Sequence, residues 1–538
     1  MEKRTLLALF LIFVVFIISN QFIWKNNNVT NQQDSTAVNK TVQKEKAPVA
    51  QSPKKVQATF QTTPDLLLKD IKINNNITIQ NDYFIATFTN KGGKLISYQL
   101  KKFFLNDKKT HINLIPKNKS ILGMDILTKG KLENISSLPM NYILENNSVV
   151  FYLEKNNQRI LEKSFTIKDE YAMNMKLKFN NFAEISGYDL HLDSGIPDTE
   201  DFIKNKNRDY KIVAQVNNSL KKTTLNSLTK KAKLIEGHID WAAVRTKYFT
   251  QAIKPEKRIN SNILNGFDVN GSPALDLSIR NSTGRDNIED SYLLYIGPVE
   301  YNLLAKYGDN FQNITELGAK WIHFLSKWFL WLIAFLYKFI PNYGAVIIVF
   351  SIIIKLILYP LTHKSLESTQ KMQKLNPQMK AIQQKYKDDP KLQQAEISKL
   401  YKENGVSPLG GCLPMLLQMP VFFALYPVLR YSISLRQAGF MFWLKDLSAP
   451  DPYMVLPILM AIFMFIQQKM MTPASQPNDE VDEKQQAAAQ SQKMMMYIMP
   501  GFMFFLFKSF PSGLVLYWMI YNVLSIFQQM IIKKKYHI

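Results

Sequence analysis

Ser351 and Lys355 are the residues whose chemistry is most at odds with their surroundings. They interrupt Ala345–Leu358, a stretch that is otherwise apolar, and they stand four positions apart. That spacing puts both on one helix face. A charge inside a membrane span costs about 2.5–3.5 kcal/mol on insertion scales, so an ammonium group here needs a reason. At roughly 1.5 Å per residue, the Lys355 backbone sits roughly 9 Å in from Leu361. Two outcomes are open. The side chain snorkels to the inner headgroups, which its length nearly permits, or it lines a water-filled pocket between helices and offers a positive charge to an anionic guest. The other apolar runs carry polar groups as well: Gln418, then Gln467 and Gln468, then Tyr517, Asn522, Ser525, Gln528 and Gln529. Prolines 414, 420, 427, 457 and 500 would bend the helices that hold them. Polar side chains in bent spans describe a hydrated, incompletely packed interior, without saying what enters it.

The inventory for catalysis is thin. His111, His191, His238, His323, His363 and His537 are scattered, with no metal-ligand spacing. There is no phosphate-binding glycine loop and no nucleophile elbow. The single cysteine, Cys412, excludes an intramolecular disulfide framework and a Cys-rich zinc site, and reads as a small packing residue at a helix start. The expectation is a protein that is not an enzyme and carries no metal or cofactor.

The elements that must position these residues follow from the distribution of apolar side chains. The chain has 538 residues, a net charge of +23 and a mean hydropathy of −0.13. Those averages describe a soluble basic protein, for which nucleic acid would be the natural partner, but they conceal strong segregation. Residues 1–24 open with Lys3-Arg4 and run apolar from Leu6 to Ile18, extending to Trp24. Ser19, Asn20, Gln21 and Phe22 offer no small-x-small cleavage site, so the run reads as an uncleaved anchor with its N-terminus inside. A cleaved signal peptide is the competing reading. Residues 25–64 are polar, with Pro48, Pro53 and Pro64, and read as a flexible tether.

Residues 65–318 change to short alternations. Tyr171, Met173, Met175, Leu177 and Phe179 alternate with Ala172, Asn174, Lys176 and Lys178, and Phe84, Ala86 and Phe88 repeat the pattern. Period two with polar partners predicts half-buried antiparallel strands. Turn signals such as Lys91-Gly92-Gly93-Lys94 separate them, and the whole predicts a large all-β sandwich.

In the last third, apolar runs cover Tyr343–Pro360, Leu413–Ser432, Tyr453–Met471, Met494–Ser509 and Leu514–Ile532. Each is near spanning length, the fourth being short. With the anchor they make six spans: an anchor plus a five-span helical core over 342–532. A further run, 319–341, places Lys320, His323, Lys327 and Lys338 on one stripe of an otherwise apolar helix, the pattern of a helix lying in the interface. A seventh span is the alternative. It would put the 362–412 loop outside, yet that loop holds nine lysines against five acids, and short lysine-rich loops stay in the cytoplasm. The basic tail at 533–538, with Lys533-Lys534-Lys535, agrees. Within 363–411, helical stretches near 364–387 and 391–404 flank Asp388-Asp389-Pro390. Leu375, Met379, Ile382 and Tyr386 form one stripe and Leu392, Ile397 and Leu400 the other, which predicts a cytoplasmic helical hairpin. It is either a solvated charged hairpin or a docking arm for ribosomal RNA or anionic lipid headgroups. Residues 25–318 carry +10 of the net charge, but a long translocated domain is largely exempt from the positive-inside rule, so DNA is not an expected partner.

Four motifs carry a family resemblance. LYPLT stands at 358–362, LYKE at 400–403 followed by NGVSPLGGCLPMLLQMP at 404–420, DLSAPDPY at 446–453 and PSGLVLY at 511–517. In this order they resemble the Oxa/Alb/YidC membrane protein insertases over about 295–532. The anchor and the large outside β-domain are similar in layout to the Gram-negative YidC type. The resemblance implies an inner-membrane multi-pass protein, with both termini cytoplasmic and the large domain periplasmic. It implies that the protein inserts and folds membrane proteins, alone or with the Sec translocon, through a hydrophilic groove open to cytoplasm and lipid. Its implied partners are nascent membrane proteins, the ribosome and anionic lipids. Lys355 stands where the family usually holds an arginine, keeping the charge but losing the planar fork. Ser351 and Met419 match groove positions of the family. Trp518 falls where a tyrosine is common, with Tyr517 beside it, and Ser407 replaces the usual asparagine. The implied groove residues are thus Lys355, Ser351, Met419, Gln418, Tyr517 and Trp518.

Two other classes compete. A membrane transporter would want internal repeats and charged or unwound sites near the midplane; the sequence shows no repeat and one shallow lysine. A periplasmic sugar-binding domain on a membrane anchor would use the sandwich, with Trp241 or His238 in a groove, although paired catalytic groups are lacking and a scaffold role suits the sandwich better.

Overall fold

The computed structural model describes residues 71–536 apart from 129, 181–184, 202–204, 258–261, 281–286, 388, 407–412 and 472–495. The expected anchor at 1–24, the tether at 25–64, the 472–493 loop, Ser407 and Cys412 lie outside the described residues. Nearly all of the described residues belong to one compact unit, Phe60–Pro473 with Met499–Ile538, which holds the sheets and, apart from the first turn of the helix that starts at Met496, the helices that follow.

Alternation builds the sheets. In the strand Ala172–Phe179, Met173, Met175, Leu177 and Phe179 are buried while Lys176 is exposed. Its register against the last strand runs without a break from Ala172↔Tyr295 to Phe179↔Ile288. The strand belongs to a nine-stranded sheet ordered Ser219–Thr224, Lys211–Val216, Ile239–Arg245, Phe249–Pro255, Ile288–Pro298, Ala172–Phe179, Gln158–Ile167, Ser148–Lys155 and Asn141–Glu145. A six-stranded sheet runs Lys233–Gly237, Asn262–Val269, Ser272–Arg280, Ile185–Leu192, Gly123–Thr128 and Lys131–Asn134. All of these pairings are antiparallel. The two sheets share one apolar core that includes Ile212, Val244, Leu264 and Leu277. A four-stranded sheet, Ile77–Gln80 to His111–Asn113, joins that core through Phe88, whose ring lies 4.7 Å from that of Phe165. The Lys91–Lys94 turn is built on glycine by necessity: Gly92 has φ +73°, and a Cβ there would lie 2.5 Å from the Ser136 carbonyl oxygen.

Trp241 is fully buried in this core, with its indole N–H donated to the Asp309 carbonyl at 2.9 Å. It therefore lines no open groove, and the sugar-site expectation for Trp241 is corrected: the alternation of its strand turns the ring inward onto Phe311. His238 pairs instead with Asp240 at 3.1 Å.

The helical part begins with α1 (His323–Phe339) and α2 (Tyr343–Lys374). It continues with α3 (Asn376–Lys385), α4 (Pro390–Glu403), α5 (Leu413–Tyr431), α6 (Val455–Met471), α7 (Met496–Phe507) and α8 (Ser512–Tyr536). Among the described residues, three helices are long and apolar enough to cross a membrane: Lys320–Phe339, Tyr343–Lys374 and Ser512–Lys534. Asn342 caps α2, its side chain accepting from the Ala345 amide at 3.1 Å. The helix packs so tightly at Gly344 that a Cβ would lie 2.0 Å from the Phe440 ring.

Helical structure runs past Pro360 to Lys374 instead of pausing there. Thr362, two residues on, donates its hydroxyl to the Leu358 carbonyl at 3.0 Å. The expected stretch 364–387 is consequently split at Leu375 between α2 and α3. Helices α3 and α4 pack together, with Tyr401 Oη donating to Met379 Sδ at 3.1 Å and Gln393 Nε2 to the Gln383 carbonyl at 3.0 Å. Ile397 is buried on this seam, whereas Leu392 is 42% exposed. The seam follows positions 393, 397 and 401, from which Leu392 is rotated by about 100°. Lys533–Lys535, expected as the start of a tail, still belong to α8.

Candidate functional site

The polar side chains of the helical part collect where α2 faces α8. Ser351, Lys355, Thr362, Ser365 and Thr369 are buried along α2, and Asn522, Ser525, Gln528 and Gln529 along α8. Lys355 Nζ donates to Ser525 Oγ at 2.7 Å and lies 4.4 Å from the centroid of the Tyr521 ring. Gln528 Nε2 donates to Thr362 Oγ1 at 3.1 Å. Helix α5 closes one side: Gln418 Nε2 donates to Tyr517 Oη at 2.8 Å, and the Tyr517 and Tyr521 rings are 6.2 Å apart. Gln418, Tyr517, Tyr521, Lys355 and Ser525 thus form one continuous line of contacts.

This seam is electrostatically unfinished. Lys355 is only 6% exposed, so its ammonium lies among the helices and does not reach out along them. Among the described residues no carboxylate faces it; its neighbours are a hydroxyl and an aromatic face. A cation taken out of water costs several kcal/mol unless it is paired, and a hydroxyl repays only part of that. Gln418 Oε1, Gln370 Oε1 and both polar atoms of the Gln529 side chain also have no hydrogen-bond partner among the described residues. Each such group costs about 1–3 kcal/mol when it stays unmet. The arrangement can accept an anionic or hydrogen-bonding guest. No group of three or more His, Cys, Asp or Glu able to hold a metal occurs among the described residues.

The six expected groove residues divide. Lys355, Gln418 and Tyr517 lie on the seam. Ser351 is on the same α2 face, but its hydroxyl is donated to the Ile347 carbonyl at 2.6 Å, within its own helix. Trp518 turns away from Tyr517 and packs on Phe422 and Phe507 at 5.4 and 5.1 Å. Met419 is half-buried, one helix step from Gln418. Tyr521 was missed by the sequence reading, and Ser525 was seen only as one polar residue among several. The i, i+4, i+8 spacing of Tyr517, Tyr521 and Ser525 was the available signal.

Family models match almost the whole described chain: the YidC periplasmic domain over residues 76–332 and the 60Kd inner membrane protein over 335–537. The membrane protein insertase YidC of Prosthecochloris aestuarii is 34% identical over 99% of this chain and 95% of its own. That of Chlorobaculum tepidum is 32% identical over 98% and 94%. The chain belongs to the YidC family of membrane protein insertases. A crystal structure described as an active YidC insertase with its first transmembrane domain resolved aligns at 20% identity, covering 85% of this chain and 94% of that one, with a TM-score of 0.36. The protein is thus an inner-membrane insertase whose substrates are membrane proteins, and its β-sheet part is a periplasmic domain.

In the insertase the periplasmic domain is tied to the helical core by buried charges that the sequence reading did not foresee. Arg430, at the end of α5, donates to Asp209 Oδ2 at 2.7 Å, and Tyr431 Oη donates to Asp209 Oδ1 at 2.9 Å. Arg436 donates to Glu200 Oε1 at 2.6 Å and to the Thr199 carbonyl at 3.2 Å. Gln437 reaches the Phe104 and Leu105 carbonyls at 3.2 and 3.1 Å. Just inside the domain, Glu316 meets Lys211, Lys222 and Arg245 at 2.9, 3.0 and 3.6 Å. Burial alone would raise the Glu316 carboxyl, but these three cations hold it well below the usual carboxylate range.

Proposed function

We propose that the insertase works through the α2–α8 seam, with Lys355 as a resident positive charge for the acidic part of a substrate tail. The supporting observation is a buried ammonium that has a hydroxyl and an aromatic face for neighbours and no acidic partner among the described residues. A nascent span with a short polar tail must carry that tail across hydrocarbon. Hydrogen-bonding groups and one cation held partway in shorten the dehydrated path, and the cation acts strongly because the local dielectric is low. The apolar segment then leaves sideways into lipid, driven by burial of its own surface. Gln418 and Tyr517 line the path, Met419 and Trp518 present apolar surface beside it, and Ser351 completes the α2 face.

The topology we infer is six spans: an N-terminal anchor and the five helices α2, α5, α6, α7 and α8. Both ends of α1 support an interfacial placement over a seventh span. Ser326 near its start bonds the Ala424 carbonyl at 3.3 Å, and Asn342 just past its end bonds the Phe440 carbonyl at 3.3 Å. Ala424 and Phe440 flank the α5 end that the periplasmic domain grips, so α1 begins and finishes toward one side. The α3–α4 pair then falls in the cytoplasm together with both termini. Its lysine excess offers a surface to the ribosome and to anionic lipid headgroups, and the Sec translocon is the further partner we propose, as the family resemblance implies.

The deciding experiment replaces Lys355 by Met and follows insertion of a single-span substrate with an acidic periplasmic tail into vesicles. Insertion should fall about tenfold or more, equivalent to roughly 1.4 kcal/mol on the barrier. A substrate with a neutral tail should be far less affected. Equal insertion of the acidic substrate by both forms would remove the charge from the mechanism.

A further inference from the structure

A second cationic site lies in the periplasmic domain. A cleft of about 790 Å³ opens beside the four-stranded sheet, and Lys91, Lys94, Lys117 and Lys119 line it. That volume is in the range of ordinary ligand sites. None of the four lysines has an ion-pair partner among the described residues. The one carboxylate in the lining, Asp198, is already committed to Lys206 at 2.8 Å and to Tyr210 Oη at 2.9 Å. Asp193 nearby lies in the field of Lys94 and Lys119 but pairs with neither. Beneath the lysine turn, Lys163 is buried with its Nζ bonded to the Gly92 and Leu122 carbonyls, and burial pulls its pKa down to about 7, so the charge of the cleft rests on the four lining lysines. Four cations, none of them ion-paired among the described residues, face one committed lining carboxylate and the nearby Asp193, and so make a concave surface of net positive potential.

The place of the cleft indicates what it receives. Leu105 and Thr199 are among its walls, and their carbonyls are the ones held by Gln437 and Arg436 of the core. The cleft therefore starts where the periplasmic domain meets the loop that follows α5. In the topology inferred above, this is the side of the core from which a translocated segment emerges.

We propose that this cleft binds the translocated acidic tail of the substrate, an acidic peptide segment, after it has passed Lys355. The proposal rests on the groove reading above, but its site is separate and is measured separately. The cleft would hold the tail against sliding back while the apolar segment partitions into lipid.

The test uses the full chain in nanodiscs and a fluorescein-labelled glutamate-rich peptide, with its glutamine twin as control, read by anisotropy. The glutamate peptide should bind, weaken as salt is raised, and exceed the glutamine twin by about tenfold or more. The double variant Lys94→Gln/Lys119→Gln should lose about tenfold in affinity, and Lys94→Arg/Lys119→Arg should restore it, which separates lost charge from lost folding. Insertion by Lys355→Met is measured separately, so a failure of the groove reading would show in insertion, whereas a failure of the cleft would show as undiminished peptide binding by Lys94→Gln/Lys119→Gln. Equal binding of both peptides, or full binding by the Gln variant, would overturn the proposal. So would displacement of the peptide by inorganic phosphate, or by vesicles of anionic lipid, at matched charge, because the cleft would then be a general anion or membrane contact.

Discussion

Arg430 and Asp209 are 221 residues apart in the chain and meet at 2.7 Å, with side-chain exposures of 5% and 6%. One sits at the end of a core helix, the other in a short helical turn of the periplasmic domain, Lys206–Asp209. The pair fixes the domain on the core, and Tyr431 and Arg208 add to it from either side. Removing one partner strands the other charge, which costs about 3–5 kcal/mol at buried pairs. Asp209→Ala should therefore lower the thermal midpoint of the purified protein clearly. It should also expose the segment joining domain and core to trypsin. Arg430→Met combined with Asp209→Leu should recover much of that loss. If the single variant melts like the parent, the contact is not holding the domain.

A second prediction concerns alkaline conditions. His191 lies between Asp276 at 2.8 Å and Asp125 at 3.3 Å on the six-stranded sheet. Burial pulls its pKa down, but the two carboxylates outweigh burial and raise it to about 10. A group raised above its unfolded value of about 6.5 stabilises the fold fully below that pH and loses the contribution as pH climbs through about 10. The thermal midpoint should decline between pH 7 and 10, and His191→Gln should flatten that decline while lowering stability at pH 7. A parallel decline in the variant would assign the slope to other groups.

The acid limb should have a different owner. Glu316 is held well below the ordinary carboxylate pKa by Lys211, Lys222 and Arg245 despite its burial. Its contribution is present above the unfolded carboxylate pKa of about 4.3 and is lost as pH falls below that value toward the folded one. Glu316→Gln should be less stable at pH 7, because three cations lose their anion, and should lose less on going from pH 5 to pH 3. Urea unfolding followed by tryptophan fluorescence at the three pH values would show it; Trp241 belongs to the same buried region.

What the sequence made legible and what it hid have the same physical cause. The strands were readable because alternation is local: Met173, Met175, Leu177 and Phe179 announce an inward face within one element. The same alternation buries Trp241, and only the partner sheet shows that the ring is covered. The apolar run ends at Pro360 and the lysine-rich stretch from 362 reads as a loop, yet one helix goes on to Lys374, with the Thr362 hydroxyl bonding the Leu358 carbonyl beside the proline, because a change from apolar to charged surface does not end a helix. Asp209 and Glu200 were invisible, since nothing local marks a surface acid that a distant arginine will bury. Their partners did leave a trace: Arg430 and Arg436 sit at a span end read as facing outside, where cations are not expected. Among the groove residues, Lys355 stood out by charge in an apolar run, whereas Ser525 is an ordinary helix serine until α2 is placed against it.

That last contact gives the sharpest prediction. Ser525 Oγ is the hydrogen-bond acceptor nearest the Lys355 ammonium, at 2.7 Å. Ser525→Asp would place a permanent carboxylate where the substrate's acid is proposed to come, leaving Lys355 itself intact. The resident pair would be strong at low dielectric and would compete with every incoming tail. Insertion of an acidic-tailed substrate should fall about as far as in Lys355→Met, roughly tenfold, although the lysine is still there. Ser525→Ala, which removes only the hydroxyl, should insert nearly normally or slightly faster, because the ammonium then lacks even its neutral partner. If Ser525→Asp inserts the acidic substrate at the parental rate while folding normally, the ammonium is not the attracting group. The positive charge would then have a structural role between α2 and α8.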